Sequence, residues 1–113
     1  MKMIIAFIKR HKLSDVTLAL KEVEGLSGVS ITDVRGFGRG RGISEEDVIR
    51  DGLIDYLPRI RLEIACMDEL VDRVVSVIEQ HAHTGLRGDG KIYAYSLEQA
   101  VRISSGERGE AAT

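Results

Sequence analysis

The sequence predicts an α+β domain, one four-stranded antiparallel sheet with two helices on one face, and three observations carry that prediction. A strand, helix, strand pattern occurs twice, in residues 1–35 and again in residues 59–95. Each of the two helical segments has a single apolar stripe, which covers one face of a sheet and no more. The 113 residues fit a single domain and leave no room for a separate catalytic module.

Taken in order, residues 3–9 form an apolar, β-rich run. The period then changes: Leu13, Val16, Leu20 and Val23 share one helical face, Ser14 can cap that helix, and Gly25 can end it. Residues 29–34 return to strand character. The segment 36–58 is long for a connection in a small domain, and such loops are functional or disordered. Within it Ser44-Glu45-Glu46-Asp47 can begin a short helix, and Val48, Ile49, Leu53, Ile54 and Tyr56 are apolar. Arg59-Ile60-Arg61-Leu62-Glu63-Ile64 alternates strictly, so one strand face is apolar and the other charged. Asp68 can cap a second helix striped by Leu70, Val71, Val74, Val75 and Ile78, and residues 91–95 make the last strand. The tail 106–113 reads as flexible. This order is the ferredoxin-like βαββαβ sandwich. Its uncovered sheet face and edges predict self-association.

Composition narrows the function. Of the residues, 43% are hydrophobic, but with two Phe, three Tyr and no Trp aromatic stacking is not the main resource. Lys plus Arg number 16 against 18 Asp plus Glu, a net charge of −2, so any basic site is local and general nucleic-acid affinity is not expected. Arg35-Gly36-Phe37-Gly38 matches the start of an RNP1 motif, but Arg39, Gly40 and Arg41 follow instead of aromatic and apolar residues, and the match comes after the second strand rather than on the third. Cys66 is the only cysteine, in a strand pattern that buries it, so no intrachain disulfide forms. The apolar run at the N-terminus is too short for a signal segment and no later run spans a bilayer, which predicts a cytoplasmic protein without membrane insertion.

Two glycine-rich segments point to a phosphate site: Arg35-Gly36-Phe37-Gly38-Arg39-Gly40-Arg41-Gly42, and Thr84-Gly85-Leu86-Arg87-Gly88-Asp89-Gly90-Lys91. Glycine lets backbone N–H groups approach an anion, and Arg39, Arg41, Arg87 and Lys91 add positive charge. Either segment alone is more often a turn; the argument rests on both in one small domain. No catalytic residues emerge. His81-Ala82-His83 places its imidazoles in divergent directions, neither they nor His11 joins a metal-ligand motif, and Asp68, Glu69 and Asp72 suit the first turns of a helix.

Several segments, in order, resemble the PII signal-transduction proteins (nitrogen regulatory protein P-II) over nearly the whole chain. They are Ile8-Lys9 with Lys12-Leu13, Val34-Arg35-Gly36-Phe37-Gly38-Arg39, Asp55-Tyr56-Leu57-Pro58-Arg59, Thr84-Gly85 with Gly88-Asp89-Gly90-Lys91-Ile92, and Val101-Arg102-Ile103 with Gly106-Glu107. The resemblance implies a homotrimer that binds ATP or ADP in clefts between neighbouring subunits. It also implies a protruding loop, 38–58, that changes shape with the ligand and docks on a transporter, enzyme or transcription regulator. The implied nucleotide-binding residues are Gly36, Phe37, Gly38, Arg39, Glu63, Gly88, Asp89, Gly90, Lys91 and Arg102. In that set Arg39, Lys91 and Arg102 share the phosphate charge and Glu63 accepts from the adenine amino group. The implied partner-binding residues are Arg41, Ser44, Val48, Ile49 and Arg50.

Departures from the family pattern matter as much. Gly40 replaces the glutamine that holds magnesium and 2-oxoglutarate, so 2-oxoglutarate sensing loses its ligand, while magnesium accompanying the nucleotide stays open. Arg59 stands for a lysine near the 2-oxoacid. Gly52 and Arg50 replace the tyrosine and serine that are modified in some members, and Ser104 replaces a second arginine near the phosphates, which bears on the choice among ATP, ADP and AMP. The reading is a divergent PII-like regulator, not an enzyme, acting in nitrogen regulation. The alternative is a nucleotide-independent interaction module, or a regulator of another transporter such as a metal efflux pump, that has lost effector sensing.

Overall fold

Strand β1 (Lys2–Ile8) passes through a 3-10 turn (Arg10–Lys12) into α1 (Leu13–Lys21), followed by β2 (Ser30–Gly36) and a short β3 (Ile49–Asp51). The long β4 (Ile54–Cys66), a second 3-10 turn (Asp68–Leu70), α2 (Val71–Ala82) and β5 (Gly90–Ser96) complete the domain. This is a computed structural model, which describes residues 1–38, 49–51 and 54–113. The expected short helix at Ser44-Glu45-Glu46-Asp47 lies outside the described residues.

The main sheet runs β2-β4-β1-β5, antiparallel throughout, with β3 paired to the start of β4. This is the predicted ferredoxin-like order. Because side chains alternate along a strand, Ile4, Ala6 and Ile8 of β1 and Ile60, Leu62, Ile64 and Cys66 of β4 share one face. They pack with Val16 and Leu20 of α1 and Val74, Val77, Ile78 and Ala82 of α2 into one buried core. Burial pushes the Cys66 thiol above its ordinary value, against the nearby N-terminal ammonium, so it lacks the thiolate character of a nucleophile.

Three local expectations are corrected. β4 begins at Ile54, ahead of Arg59, and runs through Pro58. Pro58 is tolerated because β1 reaches β4 only from Ile60 onward, leaving β2 as the one main-sheet neighbour at that position. Ser14 and Asp68 do not cap their helices. Each helix is entered through a 3-10 turn, with Lys9 and Met67 in extended backbone at its start and no side-chain cap; the turns close by bonds from Lys12 N to Lys9 O and from Leu70 N to Met67 O, both 3.0 Å. Ser14 is already inside α1, and the Asp68 carboxylate instead meets the Met1 ammonium at 2.8 Å.

The segment beyond β5 returns on itself. Val101 bridges Arg108, Arg102 N donates to Glu107 O at 2.9 Å, and the Gly109–Ala112 turn follows. Among the described residues no helix is long and apolar enough to cross a membrane.

Candidate ligand-binding cleft

The sheet face away from the helices carries the other half of the alternation. Phe7 of β1 lies opposite Arg61 of β4 on one side and Lys91 of β5 on the other. The Phe7 and Tyr93 rings meet edge to face with centroids 6.5 Å apart, and the Arg61 guanidinium lies 5.8 Å from the Phe7 centroid.

Topology brings the two glycine-rich segments to the same end of this face. β2 and β1 both run antiparallel to β4 and so point the same way, while β5 runs against β1 with Gly90 opposite Ile8. The end of β2 and the start of β5 therefore flank the place where β1 stops. Between them lies a cleft of about 640 Å³, within the range of small-molecule sites. Phe7, Leu57 and Arg59 form its floor; Val34, Arg35, Gly36, Phe37 and Gly38 form one wall; Gly88, Asp89, Gly90, Lys91 and Tyr93 form the other. Arg59 links floor to wall, donating from Nη1 to Pro58 O at 2.9 Å and from Nη2 to Gly88 O at 3.4 Å. Arg35 lies 5.7 Å from the Tyr56 ring centroid.

The second wall has a defined conformation. Gly85, Gly88 and Gly90 have φ of +85°, +80° and +112°. At Gly90 a Cβ would fall 1.7 Å from the Phe7 carbonyl oxygen, so only glycine fits. Asp89 ties the loop across its neck: one carboxylate oxygen accepts from Thr84 N at 2.8 Å, and the other from the Thr84 hydroxyl and from Lys9 Nζ, at 3.1 Å. His83 Nδ1 stands 3.5 Å from the carboxylate. Burial alone would raise the Asp89 pKa, but the bonds from Thr84 and Lys9 outweigh it and hold the carboxyl well below the usual range.

Of the residues singled out from sequence, Gly36, Phe37, Gly38, Gly88, Asp89, Gly90 and Lys91 come together in this cleft. Glu63 does not line it: it lies further along β4, its carboxylate bonded to Arg61 Nε at 2.9 Å. Arg102 does not line it either. Its guanidinium reaches Glu107 at 3.5 Å and donates to Ala111 O at 3.4 Å in the returning C-terminal segment. Arg39, Arg41, Ser44 and Val48 lie outside the described residues, and Ile49 and Arg50 belong to β3.

Phe7, Tyr93 and Lys9 were missed by sequence reasoning. Alternation places Phe7 and Tyr93 each on one face of its strand, but only the β1–β5 register puts them side by side with Lys91. The Lys9 contact joins segments distant in the chain and leaves no local signal. Among the described residues no group of three or more His, Cys, Asp or Glu could hold a metal ion.

A family model for nitrogen regulatory protein P-II matches residues 1–107. The chain belongs to the P-II family. It is 45% identical over 109 residues to the nitrogen regulatory protein P-II of Rhodospirillum rubrum, covering 96% of each chain. It is 46% identical over 110 residues to that of Haemophilus influenzae, covering 97% of each. To the nitrogen regulatory protein P-II 1 of Escherichia coli it is 43% identical over 112 residues, covering 99% of each. Membership of the P-II family makes it a signal transducer rather than an enzyme.

Proposed function

We propose that this P-II chain binds ATP or ADP in the cleft between its glycine-rich segments and uses the bound nucleotide to set how segment 36–58 engages a regulated target. The observation that carries the reading is the convergence of both glycine segments with Arg35, Arg59 and Lys91 around one cleft. Backbone amides at positive-φ glycines and a lysine at the cleft wall suit a polyphosphate, and the exposed Phe37 and Tyr93 offer apolar surface to a base.

A homotrimer completes the site. Tyr93 and Tyr95 on the open sheet face are 51% and 52% exposed in the single chain, surface that a neighbouring copy would cover. Glu63 and Arg102 then act across the subunit boundary rather than within one chain. The target is a transporter, enzyme or transcription regulator of nitrogen metabolism in the cytoplasm, and nucleotide acts on it by favouring one state of the loop.

Calorimetric titration with ATP and ADP, with and without magnesium and 2-oxoglutarate, tests this. Nucleotide binding without a 2-oxoglutarate effect is the expected result, because Gly40 supplies no side-chain ligand. A second reading rests on Gly40 and Ser104, the lost ligand positions: an interaction module indifferent to nucleotide. Absence of binding to either nucleotide supports that module and overturns the proposal.

A further inference from the structure

We infer that Lys9 and Thr84 are positioning residues for the cleft: they hold the Asp89 carboxylate charge-compensated and bonded on both oxygens, so that an acid on the cleft wall does not repel an anionic ligand. The inference rests on the nucleotide reading above.

Asp89 poses a chemical problem, since a carboxylate next to Gly88, Gly90 and Lys91 would oppose phosphate binding. Among the described residues, the structure answers it with a lysine paired to that one acid. The Lys9 side chain is 6% exposed, its ammonium 3.1 Å from Asp89 and 3.4 Å from the Thr84 hydroxyl. Thr84 bonds both carboxylate oxygens through its amide and hydroxyl, and the same hydroxyl accepts from Leu86 N at 3.1 Å. One side chain therefore organises both ends of the loop. Apolar packing does not do this work, because Leu86 is 71% exposed and a Cβ at Gly85 would touch nothing within 4 Å. With Lys91 on the cleft and Lys9 beneath it, the loop separates a ligand-facing cation from a compensating one.

A merely structural clamp and a charge-compensating one predict different variants. ATP affinity is measured by calorimetry, with thermal unfolding of each variant beside it. Lys9→Met leaves the carboxylate uncompensated, and Thr84→Val removes the hydroxyl; each weakens ATP binding about tenfold or more, the scale of a lost charge-assisted bond. Thr84→Ser keeps wild-type affinity. Lys9→Met/Asp89→Asn recovers most of the loss seen in Lys9→Met, and Asp89→Asn alone loses less ATP affinity than Lys9→Met although it unfolds at lower temperature. Asp89→Asn keeps an amide that can still meet Thr84, so it tests charge even where Lys9→Met folds poorly. The inference is overturned if Lys9→Met/Asp89→Asn binds ATP no better than Lys9→Met, or if wild type binds ATP and the Lys9 and Thr84 variants bind equally well. Wild type failing to bind ATP instead removes the nucleotide reading on which the inference stands.

Discussion

The two faces of the central sheet are built from the same strands and do opposite work. Beneath the helices Ile4, Ala6, Leu62 and Ile64 have no exposed surface, whereas the opposite face presents Phe7, Arg61, Glu63 and a half-exposed Tyr93. A period of two makes this division possible, and a one-residue slip in β1 or β4 would exchange the two sets. On the proposed reading, stability resides on one face and ligand recognition on the other. Substitutions on the helix face should move unfolding, and those on the open face should move binding.

The largest expected effect is Leu62→Ala, at the centre of β4 and fully buried, which should cost about 4 kcal/mol through lost burial and the cavity left behind. Urea unfolding measures it; a loss below about 1 kcal/mol would break the division between faces. Gly90→Ala comes next, at roughly 3 kcal/mol, because the residue is at φ +112° with its would-be Cβ on the Phe7 carbonyl. It sharpens the comparison by lying where the faces meet: thermal unfolding and ATP affinity should both suffer.

Asp89 contributes a pH signature. Its folded pKa is depressed, so its contribution is complete above the unfolded carboxylate value of about 4 and is lost as pH falls below it. Asp89→Asn should flatten the acid limb of stability by about 2 kcal/mol, the scale of hydrogen bonds to a charged group, in urea titrations between about pH 2 and pH 6. An unchanged acid limb would show that the bonds to Thr84 and Lys9 carry no stability. The smallest effect is Arg61→Ala: its pair with Glu63 is partly exposed on the open face, and its loss should cost less than about 1 kcal/mol.

What could be read from the sequence was what local chemistry encodes. Strict alternation through Ile60, Leu62 and Ile64 marked the buried face, and the glycine runs marked both walls of the cleft. What escaped depended on neighbours. The start of β4 read as Arg59 rather than Ile54 because the tolerance of Pro58 comes from where β1 pairing stops, and Ser14 and Asp68 looked like caps because the 3-10 turns ahead of the helices have no side-chain signature. The partner that holds the Asp89 carboxylate comes from just beyond the end of β1, at Lys9. Glu63 and Arg102 sit apart from the cleft in one chain, each paired with a local partner of opposite charge.

ATP titration of wild type beside Lys91→Ala tests the central claim most directly, because Lys91 lines the cleft on the open face and lies outside the core. The account predicts binding by wild type and a loss of about 1.5–3 kcal/mol in the variant, roughly ten- to hundredfold, with unfolding unchanged. Equal affinity for the two proteins would contradict it.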